Sequence, residues 1–79
     1  MPKLKALSGD DIIKIFEEMG FSIEHQKGSH VKLKRIASAT KQTLTIPRHK
    51  DLDKGTIKAV YNQALAYVAE NDLKKHFYS

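Results

Sequence analysis

With 79 residues, 41% of them hydrophobic, the chain is long enough to bury one small core and too short for two. It has no cysteine, which excludes a disulfide framework, a zinc ribbon and a thiol nucleophile and fits a reducing, cytoplasmic setting. A net charge of +5 favours a polyanionic partner such as nucleic acid, although the distribution of the charges has to carry that argument.

The opening "MPKLKALSGDD" lacks the apolar stretch of a signal peptide, and no later run approaches a bilayer-spanning length. The spacing predicts a first helix from Ser8 to about Met19. Ser8 with Asp11 makes a capping-box start, and Asp10 and Asp11 complement the positive end of the helix dipole. Ile12, Ile15, Phe16 and Met19 fall at i, i+3, i+4 and i+7, an apolar stripe that Gly20 ends.

The period then changes from helical to alternating. Phe21 and Ile23 alternate with Ser22 and Glu24, Val31 and Leu33 with Lys32 and Lys34, and Leu44 and Ile46 with Thr43 and Thr45, which predicts three short strands. Lys27, Gly28 and Ser29 make the first connection. The second, "RIASATKQ", is rich in small polar residues and reads as a longer loop. Pro47 closes the third strand because it has no N–H for a ladder.

A second helix starts at Asp53 or Thr56, with Ile57, Val60, Tyr61, Ala64, Leu65 and Val68 as its buried stripe and Asn71 with Asp72 as the interruption. The tail "LKKHFYS" reads either as a short helix packing Leu73 and Phe77 onto the body or as a frayed basic end. The order helix, strand, strand, strand, helix is satisfied by an α+β fold. In it an antiparallel three-stranded sheet carries both helices on one face and leaves the other to water.

That arrangement sorts the side chains by function. If Val31 and Leu33 point at the helices, then His30, Lys32 and Lys34 point the opposite way, beside the hydroxyls of Thr43 and Thr45. An imidazole that exchanges protons near neutrality then lies in line with two ammonium groups, on a surface suited to anions. Gly28 and Ser29 offer backbone N–H groups to phosphate oxygens. Arg48 and His49 follow the third strand, and His49 is a candidate second proton-transfer group on the same rim. A lone surface histidine is more often structural than catalytic, and Lys50 reads as part of a solvated loop. His25, His30, His49 and His76 lack the spacing of a zinc site and have no clustered carboxylates, so no metal is expected. His25 and His30 could meet only across a hairpin. No glycine-rich nucleotide loop can be drawn either, so no cofactor is expected.

Four pieces, "LSGDDIIKIFEEMGF", "KGSHVKL", "LTIPRH" and "LDKGTIKAVYNQA", taken in this order from Leu7 to about Ala64, resemble the HicA family of toxins. This family is the mRNA interferase half of the HicA–HicB toxin–antitoxin modules. The resemblance implies a fold like that of double-stranded-RNA-binding domains. It also implies a metal-independent ribonuclease acting on messenger RNA, with His30 of the Gly-Ser-His motif essential and a HicB antitoxin covering the site. In that setting His30 would act as general base on a ribose 2′-hydroxyl and His49 as the acid. Lys27, Gly28, Ser29, Lys32, Lys34 and Arg48 would hold the RNA backbone. The chain departs from the family pattern in "RIASATKQ", which lacks a glycine-rich turn, and in continuing from residue 65 to 79 past the matching region. The competing reading from another class is a non-catalytic module that binds double-stranded RNA by shape through Lys50, Lys54 and Lys58. A third is a protein-interaction domain whose basic face meets an acidic partner.

Overall fold

In the computed structural model, which describes residues 2–79, the chain runs α1 (Gly9–Glu18), β1 (Ser22–Lys27), β2 (His30–Ala37), β3 (Thr40–Pro47), α2 (Lys54–Ala64) and α3 (Glu70–Phe77). The strands form one antiparallel sheet in the order β1-β2-β3. The fold is therefore α+β in the expected helix-strand-strand-strand-helix order, with a third helix added. No helix among the described residues is long and apolar enough to cross a membrane.

Helix α1 begins where its side chains satisfy its own orphan donors. The Asp11 N–H donates to Ser8 Oγ and the Ser8 N–H to Asp11 Oδ2, both at 3.0 Å, which completes the capping box. Gly20 ends it at φ 95°, a left-handed conformation that glycine adopts without a Cβ clash. Ile12, Ile15 and Phe16 are buried, Ile13 with them, and they meet Val31, Leu33, Leu44 and Ile46 from the inner face of the sheet. At roughly 1.5–3 kcal/mol for each large side chain removed from water, this layer is the main term holding helices to sheet.

The expected alternation fails in β1. Phe21 is buried, but it precedes the strand and packs edge-on against Phe16, with ring centroids 5.7 Å apart. Ile23 sits opposite Leu33 yet is 43% exposed, because β1 is an edge strand that the helices do not reach.

The loop expected between β2 and β3 is instead a two-residue turn. Pairing runs unbroken from His30↔Pro47 to Ala37↔Thr40, and Ser38 and Ala39 both take positive φ, 52° and 63°, as a type I′ hairpin requires. Serine and alanine give no signal for such a turn, which glycine and asparagine usually occupy, so a small polar run concealed two strand ends. Within it, Arg35 reaches the inner side of the sheet. It donates to Gln42 Oε1 (2.8 Å), the Met19 carbonyl (2.9 Å) and the Tyr67 carbonyl (3.0 Å), and its guanidinium lies 4.7 Å from the Phe21 ring centroid.

Asp53, rather than Thr56, caps α2, accepting from the Thr56 N–H at 2.7 Å. Ile57, Val60, Tyr61 and Ala64 are buried as expected, but the helix stops at Ala64. Leu65 is 39% exposed, and Val68 packs on the core from the segment beyond. The break thus falls at 65–69, and Asn71 and Asp72 lie inside α3. The tail is the helical alternative. Leu73 and Phe77 are fully buried, and Phe77 joins an aromatic cluster with Phe16 and Tyr61. Main-chain bonds Lys3 N–H to Ser79 O (3.0 Å) and Ser79 N–H to Lys3 O (2.8 Å) tie residues near both ends together.

Candidate active site on the open face of the sheet

The face of the sheet turned away from the helices is set by the parity of each strand. On β2, Val31 and Leu33 are buried, so His30, Lys32 and Lys34 project outward, opposite Pro47, Thr45 and Thr43 of β3. On β1 the parity changes partway. Ile23 pairs with Leu33, but the next pair is His25↔Lys32, so Glu24 and His25 together oppose one residue, as in a β-bulge. A regular strand would set Glu24 and Gln26 on the outer face. The bulge leaves Glu24 on that face, where its carboxylate meets Lys32, and adds His25 opposite Lys32 and then Lys27 opposite His30 in place of Gln26.

As a result His25, Lys27, Gly28, His30, Lys32 and Thr45 line one open cavity of about 620 Å³. Both imidazoles are exposed, as is Lys27, while Lys32 is half-buried. The turn at its mouth has two residues, with Gly28 at φ 60° in the first turn position and nothing within 4 Å of where its Cβ would be. That is the glycine a type II′ hairpin needs. Two imidazoles and two cations thus surround one open space, an arrangement suited to holding a phosphodiester and moving protons at it.

The positive charge thins out along the sheet because of Glu24. Its carboxylate is 2.6 Å from Lys41 Nζ, 3.5 Å from Lys32 Nζ and 4.0 Å from Lys34 Nζ. The hydrogen bond from Lys41 is the main reason that the Glu24 carboxyl is held below its ordinary value, so it stays ionised among the lysines. Lys34 belongs to this cluster and does not line the His30 cavity.

Arg48 is committed to the framework. Its N–H donates to the Ser29 carbonyl at 2.5 Å, and its guanidinium donates to Asp10 Oδ1 (2.6 Å) and Gln26 Oε1 (3.0 Å). Gln26 extends the chain of bonds, its Nε2 donating to the Gly28 carbonyl at 2.9 Å. The Gly28–Ser29 turn is therefore braced from α1 through Arg48. His49 does not line the cavity. Its carbonyl accepts from the Gly9 N–H at 2.9 Å, and Gly9 packs so closely that an added Cβ would strike the Pro47 carbonyl and lie 2.7 Å from Arg48 Cα. Sequence patterning does not single out Gly9. Its only signal is a glycine at the first position of a helix whose capping residue already precedes it. His25, the second histidine of the cavity, is legible in the sequence only as a residue able to meet His30 across a hairpin.

Among the described residues no three histidine or carboxylate side chains converge on a point where they could hold a metal ion. In comparison with known proteins, the family model described as HicA toxin of bacterial toxin-antitoxin matches residues 9–65, from the first residue of α1 to just past the end of α2. No curated protein and no solved structure matches the chain.

Proposed function

Since the chain belongs to the HicA toxin family, and so to the toxin side of bacterial toxin–antitoxin pairs, we propose that it is a metal-independent endoribonuclease that cuts messenger RNA in the cytoplasm, with His30 as general base. The observation that carries this reading is the placement of an exposed His30 directly after the Gly28–Ser29 turn, opposite Lys27 and beside Lys32 in one cavity.

His30 removes the proton of a ribose 2′-hydroxyl. The 2′ oxygen forms a bond to the adjacent phosphorus, the bond to the 5′ oxygen breaks, and the products carry a 2′,3′-cyclic phosphate and a 5′-hydroxyl. Lys27 and Lys32 stabilise the charge that builds on the non-bridging oxygens, and Gly28 and Ser29 supply backbone donors at the turn. Lys34 extends the cationic track two residue pairs further along the sheet. Arg48 acts as a positioning residue that braces the turn. Contacts of this kind hold the RNA backbone without reading bases, so sequence preference is weak. An antitoxin of the HicB type blocks the enzyme by covering the same face. Ile36, 64% exposed on that face, offers it an apolar contact that a phosphate backbone does not use.

The test is cleavage of a single-stranded messenger RNA in EDTA by the wild-type protein and by His30→Ala, with folding checked by circular dichroism. Loss of about 10²–10⁴-fold in the variant is expected. Equal cleavage by both overturns the role of His30. Failure of both to cleave, with equal binding of duplex RNA, would favour the non-catalytic module that uses Lys50, Lys54 and Lys58.

A further inference from the structure

Cleavage of this kind needs a second proton transfer, because the departing 5′ oxygen leaves as an alkoxide unless a proton reaches it. We infer that His25 is the general acid of the reaction, a catalytic residue placed by the bulge in β1. The inference rests on the ribonuclease reading above and extends it from one catalytic histidine to a pair.

Three observations carry it. His25 and His30 line the same cavity, and both are exposed to solvent. Their register makes them diagonal neighbours across the β1–β2 ladder, since His25 pairs with Lys32 and Lys27 with His30. Diagonal partners in an antiparallel sheet lie roughly 7–8 Å apart, which leaves room for a phosphodiester with one imidazole on the 2′ side and the other on the 5′ side. The slip between Ile23 and His25 is also what turns His25 outward. A regular edge strand would present Glu24 and Gln26 there, and neither could donate a proton at neutral pH.

The other residues of the cavity are less suited to the task. Lys27 and Lys32 are cations that stabilise the phosphorane by charge, whereas an imidazole gives up its proton near neutrality. His49 lies outside the cavity, and its main chain is fixed to the start of α1. The groups that share the cavity with His25 are Lys27 from its own strand, His30 and Lys32 from β2 and Thr45 from β3, while the neighbouring Glu24 directs its carboxylate to Lys32, Lys34 and Lys41.

The proton and electron count closes. His30 takes the 2′-hydroxyl proton as the 2′ oxygen bonds to phosphorus. The electron pair of the breaking P–O5′ bond goes to the 5′ oxygen, which receives the proton of the His25 imidazolium. Exchange with water then returns both imidazoles to their starting forms, and no oxidant, reductant or metal enters.

A bridging-sulfur substrate isolates the acid, because a 5′ thiolate leaves without protonation. A linkage that the wild type cuts in a messenger RNA is mapped, and a short single-stranded RNA is synthesised with either oxygen or sulfur at that 5′ bridging position. Rates are measured in EDTA for the wild type, His25→Ala, His25→Arg, His30→Ala and His49→Ala. On the oxygen substrate His25→Ala and His25→Arg are expected to fall by about 10²–10⁴-fold. On the sulfur substrate both are expected to come within a few-fold of the wild type, because the acid's contribution is no longer needed. His30→Ala is expected to be slow on both substrates.

His25→Ala equally slow on both substrates, or His25→Arg as active as the wild type on oxygen, would make His25 a charge and overturn the inference while leaving His30 in place. Sulfur rescue of His49→Ala in place of His25→Ala would move the role to His49. If the wild type cuts no linkage in the messenger RNA, the ribonuclease reading fails, and this inference fails with it.

Discussion

The two hairpins that share β2 differ in almost every physical respect. The β2–β3 hairpin pairs His30–Ala37 with Thr40–Pro47 without a slip, and it sends Val31, Leu33, Leu44 and Ile46 into the core. In the β1–β2 hairpin the register shifts after Ile23, and every residue of β1 except the half-buried Glu24 is exposed. Because side chains alternate, a one-residue slip in the first hairpin would turn core residues out to water, so burial fixes its register. An edge strand with little to bury accepts a bulge at small cost and can aim its side chains by it. The chemistry is gathered on the hairpin that the core leaves free.

The contrast can be broken most severely through the core. Leu44→Ala should cost about 2–5 kcal/mol, lowering the melting temperature by roughly 8–40 °C in a domain of this size. Lys27→Ala, across β2 on the exposed strand, should stay within about 0.5 kcal/mol. Thermal melts followed by far-UV circular dichroism check both, and a comparable drop for Lys27→Ala would erase the distinction.

Arg48→Ala should come next, lowering kcat by about 10–100-fold through a displaced turn with little change in KM. Arg48→Lys should not restore it, since a lysine cannot reach Asp10 and Gln26 with the same planar fork. A change confined to KM would instead make Arg48 an RNA ligand.

A smaller effect sharpens the comparison from the other hairpin. Ser38→Asn combined with Ala39→Gly should relieve two left-handed non-glycine residues and raise stability by about 1 kcal/mol, or roughly 4–8 °C. Cleavage rates should not change.

The smallest concerns Glu24. Lys41 first, then Lys32, holds its carboxyl below the ordinary value of 4.5. Its contribution to stability is therefore present above about pH 4.5 and is lost as pH falls through the lower folded-state value. Melts between pH 6 and pH 3 should show a shallower acid limb for Glu24→Gln than for the wild type. The same variant frees Lys32, Lys34 and Lys41. It should bind single-stranded RNA with a steeper salt dependence, the slope growing by about 0.7 for each additional phosphate that the freed lysines neutralise.

The starts of α1 and α2, the strands β2 and β3 and the outward line of His30, Lys32 and Lys34 were legible because each follows from local periodicity or a capping residue, whereas β1 lacks the expected alternation and α3 begins without a side-chain cap. The Ser38–Ala39 turn was not, since its two residues lack the usual chemistry of a type I′ turn and close a β2–β3 ladder that pairs without a slip up to Ala37↔Thr40. Leu65 and Val68 continued the helical period of α2, yet the helix ends at Ala64 and a separate helix, α3, buries Leu73 and Phe77. A meeting of His25 with His30 across a hairpin was legible, but the outward aim of His25 was not, for a different reason. A bulge is a relation between two strands, so the parity of His25 is written in the Ile23↔Leu33 and His25↔Lys32 pairs rather than in β1 itself. Arg48 reads as a free cation in the sequence, because its partners Asp10 and Gln26 come from distant parts of the chain.

The most direct test of a metal-free cleavage built on this open face is the chemistry of the new RNA ends. Products made by the wild-type protein in EDTA would be analysed by mass spectrometry. A 2′,3′-cyclic phosphate paired with a 5′-hydroxyl is the predicted result, since only attack by the neighbouring 2′ oxygen produces it. A 3′-hydroxyl paired with a 5′-phosphate would contradict the account, because it requires water as the nucleophile and leaves His30 no 2′-hydroxyl to deprotonate.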